Sequence, residues 1–308
     1  MSLRPTHLAA AAAARLAAAG VPSARFDAET LLAEALGIDR GRIPIADDAT
    51  PAQEAAYEAL LARREAREPL QHILGRAYFG PLTLAVGPGV FVPRPETELL
   101  AAWAAQQVDG GAGDMWPARS APGAGAMRPA RSAPGAGIVD LCAGSGALGL
   151  YLAATVPDAR VVLVERDETA LDYLRRNVAG ADLAGRATVL AADVREPDLP
   201  ERLAALLGTV DLVVSNPPYV PDDAPLDHEA AADPAAALFS GADGLDLIRG
   251  LAPLAARLLA GGGAVGIEHD DGNGAGTADL LRAAGFGDLV QHRDLAGRPR
   301  YVTGRMDP

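Results

Sequence analysis

The chain has 308 residues and carries 27 basic against 40 acidic side chains, for a net charge of −13. That balance repels a phosphate backbone, which nucleic-acid binders meet with a basic face, and argues against direct nucleic-acid binding. A single cysteine, Cys142, excludes an internal disulfide and a multi-cysteine zinc site and suits a reducing, cytoplasmic setting. No apolar run is long enough to span a bilayer, and Arg15 interrupts the alanine-rich stretch from Leu8 to Gly20, which therefore does not read as a signal peptide.

Residues 1–75 alternate alanine, leucine and charge at helical spacing, with breaks at Gly20-Val21-Pro22, Gly37 and Thr50-Pro51. Leu31, Leu32, Leu36 and Ile38 make one apolar stripe, and Tyr57, Leu60 and Leu61 make another. Thr50 reads as an N-cap, followed by Pro51 at the first helical position and Glu54 in the first turn. The expectation is a bundle of three to five short helices, serving either to recognise a macromolecular substrate or as a packing appendage.

Residues 76–92 alternate and contain glycine, as in Tyr78-Phe79-Gly80 and Leu82-Thr83-Leu84-Ala85-Val86, which predicts a β-hairpin linker. The stretch Phe91-Val92-Pro93-Arg94-Pro95-Glu96-Thr97-Glu98 follows, a rigid turn whose acids suit the start of the next helix. It fits a structural turn or a site wall, and Phe91 and Arg94 are candidate substrate contacts. Across 109–137 the chain is rich in Gly, Ala, Pro, Arg and Ser, and the phrase Pro117 to Gly125 recurs intact from Pro129 to Gly137. Such a repeat buries no core and predicts a disordered insertion within a domain that spans 93–308.

From Ile138 onward, four apolar runs each end near a polar residue: Ile138 to Leu141, Val161 to Glu165, Ala187 to Ala191 before Asp193, and Val210 to Ser215 before Asn216. Helical segments separate them, so the region reads as a doubly wound α/β domain whose functional edge carries Asp140, Glu165, Asp193 and Asn216. Its first turn, Asp140-Leu141-Cys142-Ala143-Gly144-Ser145-Gly146, lets a backbone approach a ligand closely. Glu165 is placed to accept from ribose hydroxyls, Asp193 to accept from an adenine amino group beside apolar Val194, and Asp140 to hold an ammonium. Acids without a phosphate-binding cation fit S-adenosylmethionine, which is cationic and lacks phosphate.

The last run leads into Asn216-Pro217-Pro218-Tyr219. The two prolines keep the backbone extended and offer no N–H. The Asn216 side-chain carbonyl and the Pro217 carbonyl are two acceptors, and the Tyr219 ring is a flat wall. Together they suit a planar NH2 group on a conjugated system. The run Glu268-His269-Asp270-Asp271 reads as a strand end and loop, with no metal expected.

The succession of PRPETE, the Asp140 glycine turn, Glu165, Asp193 and NPPY resembles the bacterial peptide chain release factor glutamine N5-methyltransferases, the PrmC/HemK family, over most of the chain. The resemblance implies a class I S-adenosylmethionine-dependent methyltransferase fold, Rossmann-like with a seven-stranded sheet, behind an N-terminal helical domain. As substrate it implies the glutamine of the GGQ loop in class I release factors. Asn216, Pro217 and Tyr219 are then the catalytic candidates, with Pro218, Phe91 and Arg94 as further substrate contacts. Asp140, Cys142, Ala143, Gly144, Ser145, Gly146, Glu165, Asp193, Val194 and Asn216 are the cofactor candidates. A glutamine methyltransferase of a ribosomal protein and an adenine-N6 DNA or RNA methyltransferase remain the alternatives. Three departures stand out: Cys142 replaces a usual glycine and is expected to crowd the turn, Asp233 replaces a usual Glu, and Asn273 stands near a usual Gln.

Overall fold

The computed structural model describes residues 4–108, 135–226 and 228–308. The duplicated phrase falls outside them except for its final residues. Gly137, assigned to the insertion on composition, instead opens a strand and pairs with Arg160. The chain divides into two compact units, one made of Met1–Ala77, Val86–Pro88 and Leu226–Asp233, the other of the remainder.

In the first unit, α1 (Pro5–Ala18), α2 (Ala24–Leu36), a 3-10 turn (Arg40–Ile45), α3 (Pro51–Glu65) and α4 (Leu70–Leu74) follow in order. Thr50 caps α3 as its sequence predicts: its hydroxyl accepts from the Gln53 N–H at 3.3 Å, and Gln53 Oε1 accepts from the Thr50 N–H at 2.9 Å. This reciprocal box satisfies two helix-end donors, a contribution of about 0.5–2 kcal/mol. Leu16, Leu31, Leu32, Tyr57, Leu61 and Ile73 form the core, with Leu36, Ile38 and Leu60 packed against it. Within that core Arg64 is 1% exposed. Its Nε donates to Asp27 Oδ2 at 2.7 Å, Nη1 donates to the Glu68 carbonyl at 3.0 Å, and Nη2 donates to Glu229.

In the second unit the hairpin strands β1 (Arg76–Phe79, which starts in the first unit) and β2 (Leu82–Ala85) pair with each other. A larger sheet contains β3 (Gly137–Leu141), β4 (Arg160–Glu165), β5 (Ala187–Ala191), β6 (Val210–Ser215), β7 (Leu259–Glu268), β8 (Phe286–Arg293) and β9 (Pro299–Met306). Among the described residues, these seven strands lie in the order β5-β4-β3-β6-β7-β9-β8. The first five are parallel, and β9 is antiparallel to both β7 and β8. Alternate side chains enter opposite layers, as the two-residue strand period requires. Ile138, Leu212 and Val214 pack with α5 (Thr97–Val108), α6 (Ala147–Thr155) and α7 (Glu168–Gly180). Val139, Val213 and Val265 pack on the other face with α8 (Leu199–Arg202), α9 (Asp246–Leu258) and α10 (Gly274–Ala283). The chain reverses direction through the sheet between β3 and β6, which is where open α/β sheets bind their ligands.

Candidate active site

Parallel register sets the carboxyl ends of β5, β4, β3, β6 and β7 side by side. Asp140, one residue before the end of β3, is 1% exposed. Its Oδ2 accepts from the Gly149 N–H at 2.8 Å, while Oδ1 has no partner among the described residues. Burial pushes its carboxyl up to about 7, opposed by the Gly149 N–H and reinforced by Glu165. Gly149 makes this approach possible, because a Cβ there would lie 2.3 Å from Leu163 Cδ2 and 3.0 Å from Asp140 Oδ2.

Glu165 braces the glycine turn. Its Oε2 accepts from the Gly144 N–H at 2.8 Å, and its Oε1 accepts from the Arg166 and Asp167 N–H groups, each at 2.8 Å. A carboxylate offers about four lone-pair sites, so Oε2 retains capacity for a hydroxyl donor. Asn177 ties the same turn to the hairpin: its Nδ2 donates to the Ser145 carbonyl at 2.8 Å, and its Oδ1 accepts from the Ala85 N–H at 2.6 Å. Cys142 sits at φ 66°, in the left-handed region that glycine adopts most cheaply, so its departure from glycine is a backbone matter as well as one of crowding. Burial, with Glu165 and Asp140 nearby, pushes its thiol up.

Asp193, expected to accept from an adenine amino group, already has arginine partners. Its Oδ1 accepts from the Arg195 N–H at 2.9 Å and Arg195 Nε at 3.0 Å. Its Oδ2 accepts from Arg195 Nη2 at 2.7 Å and Arg166 Nη1 at 2.9 Å. All four lone-pair sites are thereby used, and the Arg195 guanidinium leads in holding the carboxyl well below its usual range. Adjacent Val194 is buried.

Beyond β6, the Tyr219 and Val220 N–H groups both donate to the Leu238 carbonyl, at 3.0 and 2.8 Å, and hold the proline segment extended. The Tyr219 carbonyl accepts from Asn273 Nδ2 at 3.1 Å. Asn273 therefore supports the loop backbone. Gly244, at φ 72°, closes the same corner, where a Cβ would lie 2.2 Å from the Tyr219 carbonyl oxygen. Asn216 Nδ2 donates to Thr97 Oγ1 at 3.2 Å, and Tyr219 Oη donates to Glu268 Oε1 at 3.2 Å. Burial raises the Tyr219 phenol well above its ordinary value, so it stays protonated. Arg94 lies over the Phe91 ring at 5.1 Å, which joins the two candidate contacts in one cation–π pair. Asp233 is buried in the first unit.

Comparison with known proteins gives this constellation its family. Residues 7–75 match the PrmC N-terminal domain, and residues 128–241 match the methyltransferase small domain. A release factor glutamine methyltransferase of Mycolicibacterium smegmatis is 51% identical over 296 residues, covering 95% of this chain and 94% of its own. The chain belongs to the release factor glutamine methyltransferase family. Its second unit has the fold of class I S-adenosylmethionine-dependent methyltransferases, the architecture expected from sequence. The hMettl16 catalytic domain in complex with MAT2A 3'UTR hairpin 6 superposes with a TM-score of 0.52 at 14% identity, covering 80% of this chain and 81% of its own. The T. thermophilus 16S rRNA N2 G1207 methyltransferase in complex with AdoMet and guanosine gives 0.50 at 21% identity, covering 75% and 49%.

Two residues at this site, Thr97 and Glu268, are not among the sequence candidates. Glu268 carried a readable signal, because Ala264-Val265-Gly266-Ile267-Glu268 is an apolar run ending in an acid, as the run to Glu165 is. Thr97 lay in the stretch read as a turn or site wall, but a threonine between two glutamates at a helix start has a sufficient local explanation and was not singled out.

Proposed function

We propose that the chain transfers a methyl group from S-adenosylmethionine to the side-chain amide N5 of the glutamine in the GGQ motif of class I peptide chain release factors. The observation that carries this reading is the anchoring of the Asn216 NH2 group on Thr97, which turns the Asn216 carbonyl away from Thr97. An acceptor at the end of β6, beside the Pro217 carbonyl and the Tyr219 ring, suits an incoming amide NH2.

The residues present fit the cofactor. Asp140 Oδ1, buried without a partner among the described residues, is an acceptor suited to a cationic donor, and an ammonium would offset the cost of ionising it. Glu165 would accept from the ribose hydroxyls, and the turn Cys142, Ala143, Gly144, Ser145 and Gly146 would line the approach, with Val194 as an apolar surface. When bound, S-adenosylmethionine supplies an electrophilic methyl on a sulfonium, already a good leaving group. Asp193, saturated by two arginines, is assigned to shaping this edge.

An amide nitrogen is a poor nucleophile because its lone pair is delocalised, on a scale set by the rotation barrier of about 18–20 kcal/mol. Two hydrogen bonds worth about 0.5–1.5 kcal/mol each do not offset that directly. The Asn216 and Pro217 carbonyls therefore act by geometry: they accept the two amide protons and aim the nitrogen, and such positioning contributes up to about 7–11 kcal/mol. Tyr219 packs on the amide plane, and Phe91 with Arg94 forms part of the substrate wall. The methylated nitrogen is acidic and releases its proton after transfer, so no strong base is needed beforehand.

The test is methyl transfer from labelled S-adenosylmethionine to purified release factor, to the same factor with its GGQ glutamine changed to alanine, to ribosomal protein, and to DNA. Label on intact release factor alone is expected. Label on ribosomal protein would move the substrate, and label on DNA or on none of the four would overturn the reading.

A further inference from the structure

The run from Glu268 to Asn273, which joins β7 to α10, meets Tyr219 twice. At its first residue, Glu268 Oε1 accepts from the Tyr219 hydroxyl at 3.2 Å, and at its last, Asn273 Nδ2 donates to the Tyr219 carbonyl at 3.1 Å. The Tyr219 N–H is held separately by the Leu238 carbonyl at 3.0 Å. With both backbone groups and the far end of the ring held, the line along which the ring lies is set. Asn273 opens α10 without capping it: a residue at a helix N-terminus ordinarily turns its side-chain oxygen to the first helix N–H groups, whereas this side chain makes no cap bond and is committed to Tyr219.

The turn that delivers Asn273 is itself fastened. The Asp270 carbonyl accepts from the Asn273 N–H at 2.9 Å and lies 2.6 Å from His269 Nδ1. A carbonyl only accepts, so Nδ1 carries the proton. His269 is 0% exposed, and its Nε2 lies 2.8 Å from Gln291 Nε2 on β8. The same Gln291 NH2 group faces the Tyr301 and His292 carbonyls at 3.1 and 3.2 Å, which fixes it as the donor end. His269 Nε2 is therefore an acceptor, and the imidazole is neutral in a single tautomer. The His269 backbone N–H donates to the Arg300 carbonyl of β9 at 3.0 Å. One series of hydrogen bonds thus runs from β8 through His269 and the Asp270 carbonyl to Asn273 and Tyr219.

We infer that Asn273 and His269 are positioning residues for methyl transfer: His269 sets the turn, and Asn273, together with Glu268, clamps Tyr219 so that its ring meets the substrate amide at a fixed place. The inference rests on the reading of Tyr219 as the surface against which that amide packs.

The experiment compares wild type, Asn273→Asp, His269→Leu and His269→Asn as full-length enzymes of verified fold. Aspartate suits a helix N-terminus as well as asparagine does, yet it has no N–H to give the Tyr219 carbonyl. For Asn273→Asp, kcat for transfer to release factor is expected to fall about tenfold or more, with the KM for S-adenosylmethionine within about twofold of wild type. A wild-type kcat in this variant overturns the inference. His269→Leu is expected to lose kcat comparably, and His269→Asn, whose NH2 replaces the Nδ1–H, to exceed it by about threefold or more; equal kcat in the two overturns the role of His269. Nitrogen spectra of the free enzyme should show His269 protonated at Nδ1, and the opposite tautomer overturns the series of bonds. The Tyr219 ring resonances, identified by their loss in Tyr219→Phe, report the clamp without substrate. They should shift in Asn273→Asp, and resonances that keep their wild-type positions overturn the inference. Should wild type transfer nothing to release factor while these resonances shift as expected, the substrate assignment fails and the clamp on Tyr219 stands.

Discussion

Asp140 is the residue with the most at stake in ionising. Its carboxyl lies near 7 in the folded chain against an ordinary 3.8. Below the ordinary value it is neutral in both folded and unfolded states, and its burial carries no ionisation cost. As pH rises toward the folded value, the unfolded state loses its proton first, so stability is lost across that window. Asp140→Asn is therefore expected to raise the melting temperature of the free enzyme at about pH 8, with the gain disappearing near pH 4. Calorimetry of the same variant should show weakened cofactor binding, since a neutral amide is a poorer partner for an ammonium. At the neighbouring site, Asn216→Ala should keep cofactor affinity and lose turnover, by about a hundredfold if positioning is its task, as single-turnover kinetics would measure. The carboxylates at strand ends were legible in the sequence because an apolar run ending in an acid exposes its own logic. Saturation of Asp193 was not legible, because it depends on two arginine side chains, Arg166 and Arg195, whose directions no spacing rule fixes.

At the scale of elements, the glycine turn and the proline loop depend on backbone conformations with little tolerance. Gly244→Ala would drive a methyl into the Tyr219 carbonyl. Turnover is expected to fall at least tenfold with cofactor affinity retained, measured by paired kinetics and calorimetry. Cys142→Gly is expected to change stability by less than about 1 kcal/mol in denaturant melts, because relief of the left-handed backbone offsets the lost packing. The parallel strands β3, β4 and β6 were readable as continuous apolar runs buried on both faces, whereas β5 is largely uncovered. The later part of the sheet was not readable in this way. β7 opens through Gly261-Gly262-Gly263, and β8 is half exposed, so neither presents an uninterrupted run. Helix α4, five residues long, hides in a stretch that reads as the approach to the hairpin.

For the whole molecule, the buried charges of the helical unit weigh more than its surface ion pairs. Removing one member of a buried pair leaves the other desolvated, at a cost of about 3–5 kcal/mol. Asp27→Ala should thus lower the unfolding free energy by that amount, whereas Glu58→Ala, which breaks an exposed pair with Arg15, should cost less than about 1 kcal/mol. Denaturant titration followed by circular dichroism compares them directly. Among the described residues no helix is long and apolar enough to cross a membrane.

The helical unit is also discontinuous in sequence, because Leu226–Asp233 belongs to it and supplies Glu229 to Arg64 across 165 positions. A chain emerging from the ribosome can wind α1 to α4 early, yet Arg64 then has only Asp27 and a carbonyl to answer its charge. Its second carboxylate is synthesised only after β3 to β6 have been made. The helices of this unit are therefore translated well before the segment that completes it, and a nascent chain halted before Glu229 would display a helical bundle one counter-ion short.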